Sequence, residues 1–372
     1  MPIDFQKSTP LYVQIIEDIK SRIASGVLKE GEQLKSHKLL AEEYDVSLIT
    51  IKGALSTLID EGYLYSRVGK GTFVAAPPQV MQTTGINSIG LVLQDVKNPF
   101  FSQIAHTVED TAYNKDYTVL LSNSANQANK EEGQIENFKR MGVKGMIIAS
   151  LIKEAHAPEV VRSLHEQNFP YVMVSYTSDE DIWYVGSDHK KGAYMGTAHL
   201  ISLGHAKIGY LNSPRENALG DVRQIGYRKA LADYGLEFRS DYVLRTINDD
   251  VHKDYGSGVG LANMFHEMDD KPTAFFSYND LSAIGFIRRV MELGYSVPDD
   301  VAIVGFDDIQ QAEFAPVPLT TIKQDVERIG QLAIDKLIHR IEGDDEQLIH
   351  RTLITPTLVV RDSCGAKKAE VA

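Results

Sequence analysis

The 372-residue chain has a formal net charge of −13, 43% hydrophobic residues and a single cysteine, Cys364. One cysteine excludes an intrachain disulfide, and no run of about 18 apolar residues is present to span a bilayer. With no charged-then-apolar leader at its start, the chain reads as a cytoplasmic protein of two to three domains.

The acidity is unevenly placed. Residues 1–78 hold 9 Lys and Arg against 10 Asp and Glu, whereas residues 79–372 hold 29 against 41. The N-terminal segment is therefore close to neutral, and contact with a polyanion has to rest on particular residues rather than on bulk charge.

Residues 1–9 read as a loose arm. From Pro10 to about Ser25, Tyr12, Ile15, Ile16, Ile19 and Ile23 recur at helical spacing. Leu39, Leu40 and Tyr44 predict a second helix over Ser36 to Tyr44, with Ser36 as its N-cap. Asp45-Val46 makes a turn. Ser47 then caps a third helix whose inner stripe is Ile51, Leu55, Leu58 and Ile59, and which Gly62 ends. Tyr63-Leu64-Tyr65 and Thr72-Phe73-Val74 alternate as strands around the basic tip Val68-Gly69-Lys70-Gly71. A helix, a tight turn, a capped helix with small polar residues outward and a basic hairpin predict a winged helix-turn-helix that binds double-stranded DNA. The expected DNA-facing residues are Lys38, Ser47, Thr50, Lys52, Arg67, Gly69 and Lys70, with Thr50 reading a base and the basic side chains holding phosphates.

Pro77-Pro78 and small polar residues predict a linker over 77–85 between the DNA-binding domain at 1–76 and a larger domain at 86–362, with a tail at 363–372. Within the larger domain, strands are expected at 88–93, 117–122, 144–149 and 171–175, with helices at 100–114, 130–141 and 158–167 between them. After about Asp188 the alternation restarts. Helices at 189–203, 221–235, 257–268 and 280–293 separate strands at 207–211, 242–247, 273–277 and 301–306. Two such runs imply two α/β lobes, each a doubly wound parallel sheet, with a ligand beyond the carboxyl ends of the strands.

Enzyme signals are weak. In Gly256-Ser257-Gly258-Val259-Gly260 the third glycine is misplaced for a dinucleotide turn, so the stretch reads as a loop entering a helix. Gly69-Lys70-Gly71-Thr72 lacks the upstream glycine of a phosphate loop, and His199 and His205 are six apart, which suits no helical metal motif. No catalytic residue, metal or cofactor is expected. The competing readings are an enzyme or a transport-type binding protein with a fused reader, and a DNA-architectural protein with a degenerate sensor.

Pro10 to Val74 resembles the reader of GntR-family transcription regulators. The likeness rests on Pro10-Leu11-Tyr12, Gly26-x-Leu28, Gly31-x-x-Leu34, Leu40-Ala41, Val46-Ser47 and Gly69-Lys70-Gly71-Thr72-Phe73-Val74. Three departures stand out. Leu48 replaces an arginine common in the family, Lys35-Ser36-His37-Lys38 replaces Pro-Ser-Glu-Arg, and Lys52-Gly53 replaces an Arg-Arg pair. Lysine does not copy the two parallel bonds that arginine makes to guanine, which implies an operator other than the family's common one.

Residues 86–362 resemble the sugar-sensing domain of LacI/GalR-family repressors, a periplasmic-binding-protein type I fold. The carriers include Ile89-Gly90-Leu91-Val92, Asn98-Pro99-Phe100-Phe101, Arg223-x-x-Gly226-Tyr227, Asn279-Asp280-x-x-Ala283 and Val304-Gly305-Phe306-Asp307-Asp308. A GntR-type reader on such a sensor resembles the arabinose-repressor subgroup. The resemblance implies a homodimeric repressor controlled by a monosaccharide or derivative, and lobe crossings near 187, 320 and 352. It also implies a ligand held by Phe100, Phe101, Arg223, Asn279 and Asp280, with Tyr176 nearby. Charged hydrogen bonds can bridge sugar hydroxyls, and aromatic faces pack on sugar C–H groups.

Overall fold

In the computed structural model, three helices and a hairpin make up the described part of residues 1–84, and two α/β lobes make up that of residues 85–372. The structure describes residues 10–60, 62–67, 70–75, 87–150, 155–213, 217–246, 254–344 and 347–366. The expected arm at 1–9, the linker at 77–85 and Gly69 lie outside these.

In the first unit, α1 (Leu11–Ala24), α2 (His37–Tyr44) and α3 (Leu48–Asp60) precede β1 (Leu64–Arg67) and β2 (Gly71–Val74). Ser36 accepts from the Leu39 amide at 3.3 Å and Ser47 from the Thr50 amide at 3.2 Å, so both helices of the turn are capped by the expected hydroxyls. Between them Asp45 takes a left-handed φ of 51°, which ends α2 and redirects the chain. Ile15, Ile19, Leu40, Tyr44, Ile51, Leu55 and Leu58 meet in one core. Leu39, expected inward, is 52% exposed; the two-turn α2 fills its inner face with Leu40, Ala41 and Tyr44 instead. The chain at 31–34 also joins the hairpin: Leu34 donates to the Thr72 carbonyl and Val74 to that of Glu32, each at 2.9 Å. The wing thus gains a third extended segment that the sequence does not predict.

The first lobe of the second unit runs β3 (Ser88–Leu93), α4 (Pro99–Tyr113), β4 (Thr118–Asn123), α5 (Ala128–Arg140), β5 (Met146–Ala149), α6 (Glu159–Glu166), β6 (Tyr171–Met173) and β7 (Tyr184–Ser187). The second lobe runs α7 (His189–Ser202), β8 (Ile208–Leu211), α8 (Leu219–Asp233), β9 (Val243–Leu244), α9 (Asp254–Glu267), β10 (Ala274–Ser277), α10 (Asp280–Glu292), β11 (Ala302–Asp307), α11 (Gln310–Glu313) and β12 (Thr320–Lys323). α12 (Val326–Glu342) and β13 (Arg351–Ile354) return to the first lobe, and β14 (Thr357–Val359) closes the second. The three crossings fall at 188, 324–325 and 355–356, close to the expected places.

The sheets are ordered β13-β7-β6-β5-β3-β4 and β14-β12-β11-β10-β8-β9. All pairings are parallel except β12 with β14. β3 and β8 each lie between the next two strands of their lobe, which makes the β3/β5 and β8/β10 gaps the points where the winding reverses. Both sheet faces are covered, so a strand such as Ser88–Leu93 is buried throughout: Leu91 and Leu93 pack with α4 and α12, and Val92 packs on the opposite face.

Two expectations change. Gly256 to Gly260 lies inside α9 and not in a loop. A Cβ on Gly258 would come within 2.0 Å of the Ser282 carbonyl oxygen, and one on Gly285 within 2.2 Å of that of Tyr255, so these glycines let α9 and α10 approach backbone to backbone. The chain past Asp362 is also built into the second lobe: the buried Ser363 hydroxyl accepts from the Thr320 amide at 2.9 Å and donates to the Ile303 carbonyl at 2.7 Å. No helix among the described residues is long and apolar enough to cross a membrane.

Candidate functional site

Where the carboxyl ends of both sheets face each other, a cavity of about 360 Å³ opens, within the range of small-molecule sites, roughly 300–1,000 Å³. The first lobe supplies Asp95, Asn98, Phe100 and Phe101 after β3, Asn123 at the end of β4 and Asn126 just beyond it. The second supplies Arg223 from α8, Asp254 from the start of α9, Tyr278 and Asn279 after β10, and Asp307 from the end of β11. His189 and Gln324 enter from two of the crossings. This is the position that the strand order dictates.

Arg223 is the centre of the polar network. Only 2% exposed, it donates to the Tyr278 carbonyl and, at 3.4 Å, to Asp307 Oδ1, while the Phe306 ring lies 3.7 Å from its guanidinium carbon. Asp307 also accepts from Gln324 Nε2 at 2.8 Å. Burial raises its pKa and Arg223 opposes the rise, leaving it at about 6. The Asp307 backbone is strained, with φ of 126°, the kind of conformation that persists where surrounding contacts over-determine it. Those contacts are Arg223, Gln324 and the 2.7 Å pair between Asp308 and Arg361. Asp254 accepts from the Tyr278 hydroxyl and from Asn279 Nδ2 at 2.8 Å, and Asn279 Oδ1 caps α10 at the Ser282 amide, 2.9 Å away. His189 is fully enclosed. Desolvation, with Arg223 beside it, drives its pKa well below the ordinary value, so the ring is neutral.

Of the expected ligand residues, Phe100, Phe101, Arg223 and Asn279 converge on this cavity. Tyr176 and Asp280 do not. Tyr176 is core, its ring edge-on to His189 at 5.7 Å. Asp280 lies beneath the floor, fully buried: Oδ1 faces the Thr321 hydroxyl at 2.5 Å and Oδ2 accepts from the Ile309 amide at 3.0 Å. The reason is local. The N-cap is the extended Asn279, whose side chain turns to the cavity rim, so the first helical residue, Asp280, points down against β11, where Gly305 leaves it room. The acidic role at the cavity falls to Asp254 and Asp307. Asp307 carries a sequence signal, because it ends a fully buried strand at its carboxyl end; Asp254 carries none beyond preceding a glycine-rich stretch.

On the reader, Lys38, Ser47, Lys52, Arg67 and Lys70 are exposed, and Thr50 is half-buried with its hydroxyl 2.8 Å from that of Ser47. Lys38, Lys52, Arg67 and Lys70 pair with no carboxylate among the described residues, whereas Arg22 and Lys35 are engaged by Asp18 and Glu43. The first four all lie on the helix-turn-helix or the wing. The Lys70 carbonyl accepts from Gln33 Nε2 at 2.6 Å, tying the wing tip to the added segment. Arg67 lies over Tyr65 and Phe73, 5.3 and 5.8 Å from the ring centres.

Residues 11–74 match the family described as bacterial regulatory proteins, gntR family, and residues 197–364 match the periplasmic binding protein-like domain. The chain is 31% identical over 364 residues to the arabinose metabolism transcriptional repressor of Geobacillus stearothermophilus, covering 96% of this chain and 98% of that one. It is 30% identical over 295 residues to the HTH-type transcriptional repressor PurR of Mannheimia succiniciproducens, covering 77% and 85%. Among solved structures, a LacI family transcriptional regulator from Enterococcus faecium with bound ribose superposes at a TM-score of 0.63 with 27% identity, covering 74% of this chain and 98% of that one. The transcription regulator CcpA of Lactococcus lactis does so at 0.67 with 25% identity, covering 75% and 99%.

Proposed function

Because the chain belongs to the transcriptional repressors that join a gntR-family reader to a LacI-type, periplasmic-binding-protein-like sensor, we propose that its effector is a neutral monosaccharide held between the lobes and that this effector releases operator DNA. The observation that carries the effector class is the cavity lining. Hydrogen-bonding side chains (Asn98, Asn123, Asn279, Gln324) surround one buried Arg–Asp pair, and Phe100 and Phe101 offer apolar faces. Three carboxylates, Asp95, Asp254 and Asp307, stand against Lys97 and Arg223. A phosphate or carboxylate on the ligand would meet these acids at close range, while hydroxyls can both donate to them and accept from Arg223. The ribose bound in the Enterococcus faecium relative is of this class.

The working unit is proposed to be a cytoplasmic homodimer. One reader spans only a few base pairs, and a two-fold pair of readers matches a pseudo-palindrome. Removing residues 80–372 is expected to leave a weakly binding monomer by sedimentation.

Thermal unfolding with neutral pentoses and hexoses beside their phosphates tests the effector class, since a ligand specific for the folded state raises stability by mass action. At least one neutral sugar is expected to raise the midpoint, and Asp307→Asn is expected to weaken its binding by about 1.5–3 kcal/mol, the scale of a hydrogen bond to a charged group. Stabilisation by sugar phosphates alone would overturn the proposal.

A further inference from the structure

Helix α3 carries two aliphatic side chains on its outer face at the first turn. Ile49 is 81% exposed and Leu48 is 47% exposed. Scattered surface hydrophobics are ordinary; these two are informative because of what surrounds them. They follow the capped turn directly, and the unpaired Lys38 and Lys52 lie on the same helix-turn-helix. The polar groups of that turn are already engaged: the Ser47 hydroxyl takes the Thr50 amide and lies 2.8 Å from the Thr50 hydroxyl. At Gly53, one turn on, a Cβ would meet nothing within 4 Å, so packing within the protein leaves that position open. The reading face of α3 is therefore apolar at its leading turn, with Lys52 as its long donor.

In the major groove only thymine presents a methyl group, and guanine is best read by the forked donors of arginine, which this face lacks. We propose that Ile49, supported by Leu48, reads thymine 5-methyl groups, so that the bases facing the first turn of α3 in each half-site are specified by thymine and not by guanine. This rests on the DNA-binding role of the reader. A second protein covering the same face is the competing occupant, and the cations around it favour the polyanion.

The test uses the full-length protein. Duplexes are selected from a random library, and each thymine of the resulting half-site is replaced singly by uracil, which removes the methyl group alone. Uracil at one or two positions per half-site is expected to weaken binding about fourfold each, the effect of one buried methyl group. Ile49→Ala is expected to bring the thymine-to-uracil ratio at those positions to about one. Because Ile49 is exposed, this variant keeps the folded core. Equal binding of every uracil duplex, or full thymine preference in Ile49→Ala, would overturn the inference while leaving DNA binding intact. Failure to enrich any duplex would overturn the DNA-binding reading itself, and loss of self-association in Ile49→Ala would assign the face to a protein partner instead.

Discussion

Asp280 and Asn279 show what one position changes at the residue scale. Their adjacency is legible in the sequence, and Phe100, Phe101 and Arg223 are implied there by the resemblance to sugar-sensing repressors; all three line the cavity. Which of two neighbours faces the cavity is not legible, since the cap conformation of Asn279 decides it. Asp280 then has a different consequence. Burial, with Asp307 close by, pushes its pKa up to about 8 from an ordinary 3.8. A carboxyl that holds its proton more tightly when folded stabilises the fold fully below its unfolded pKa and loses that contribution as pH rises through the folded one. The contribution of Asp280 to sensor stability is therefore expected to decline as pH rises from about 4 to about 8. Asp280→Asn is expected to flatten this decline, because an amide can donate to the Thr321 hydroxyl oxygen and accept from the Ile309 amide without titrating. Urea unfolding of both proteins across that range checks it; an unchanged slope in the variant would assign the titration elsewhere.

At the scale of elements, the helix-turn-helix was readable because its caps, apolar stripes and glycine stop agree with one another. The segment at 31–34 was not, because three backbone hydrogen bonds to the wing leave no side-chain pattern. α12 carries Val326, Ile329, Ala333, Ile334 and Leu337 at helical spacing, yet it serves the first lobe after the chain has built the second, a return that strand–helix alternation does not reveal. The glycines of α9 suggest a loop locally and become helix because α10 needs the space. Gly258→Val is expected to force α9 from α10, destabilising the sensor by more than the roughly 1–3 kcal/mol of ordinary overpacking, since the obstacle is backbone. It should also weaken effector binding by displacing Asp254; calorimetric unfolding and sugar titration read the two effects. On the wing, replacing Arg67 and Lys70 by Ala is expected to lower affinity for all duplexes alike and to reduce the salt dependence by about one ion per lost phosphate contact. A double variant that binds as well as wild type at moderate salt would remove the wing from the interface.

For the whole molecule, charge is divided between the two units. The reader is near neutral with Lys38, Lys52, Arg67 and Lys70 exposed, and residues 79–372 carry almost all of the net negative charge. Affinity for arbitrary DNA is thereby held low, and the operator has to be found through specific contacts. Control then depends on what the effector does to the sensor. His189 and Gln324 lie at two of the three lobe crossings and also line the cavity, so a ligand there biases the geometry at the crossings. A ligand that touches both lobes favours the closed arrangement over the open one by its differential affinity for the two. If the two readers of a dimer are spaced by their sensors, closure alters that spacing and lowers the effective concentration of the second reader at its half-site. A coupling of about 1–3 kcal/mol would weaken operator binding roughly 5–150-fold, and by reciprocity operator DNA would weaken sugar binding so that the product of the factors at the two sugar sites of a dimer equals that value. Operator titrations with and without saturating sugar, and sugar titrations with and without operator, give the two factors independently. Equal operator affinity in both conditions would separate sensor from reader, tighter binding with sugar would make the effector a corepressor, and an operator factor that differs from the product of the two sugar-site factors would show that the two ligands are not linked through one dimer.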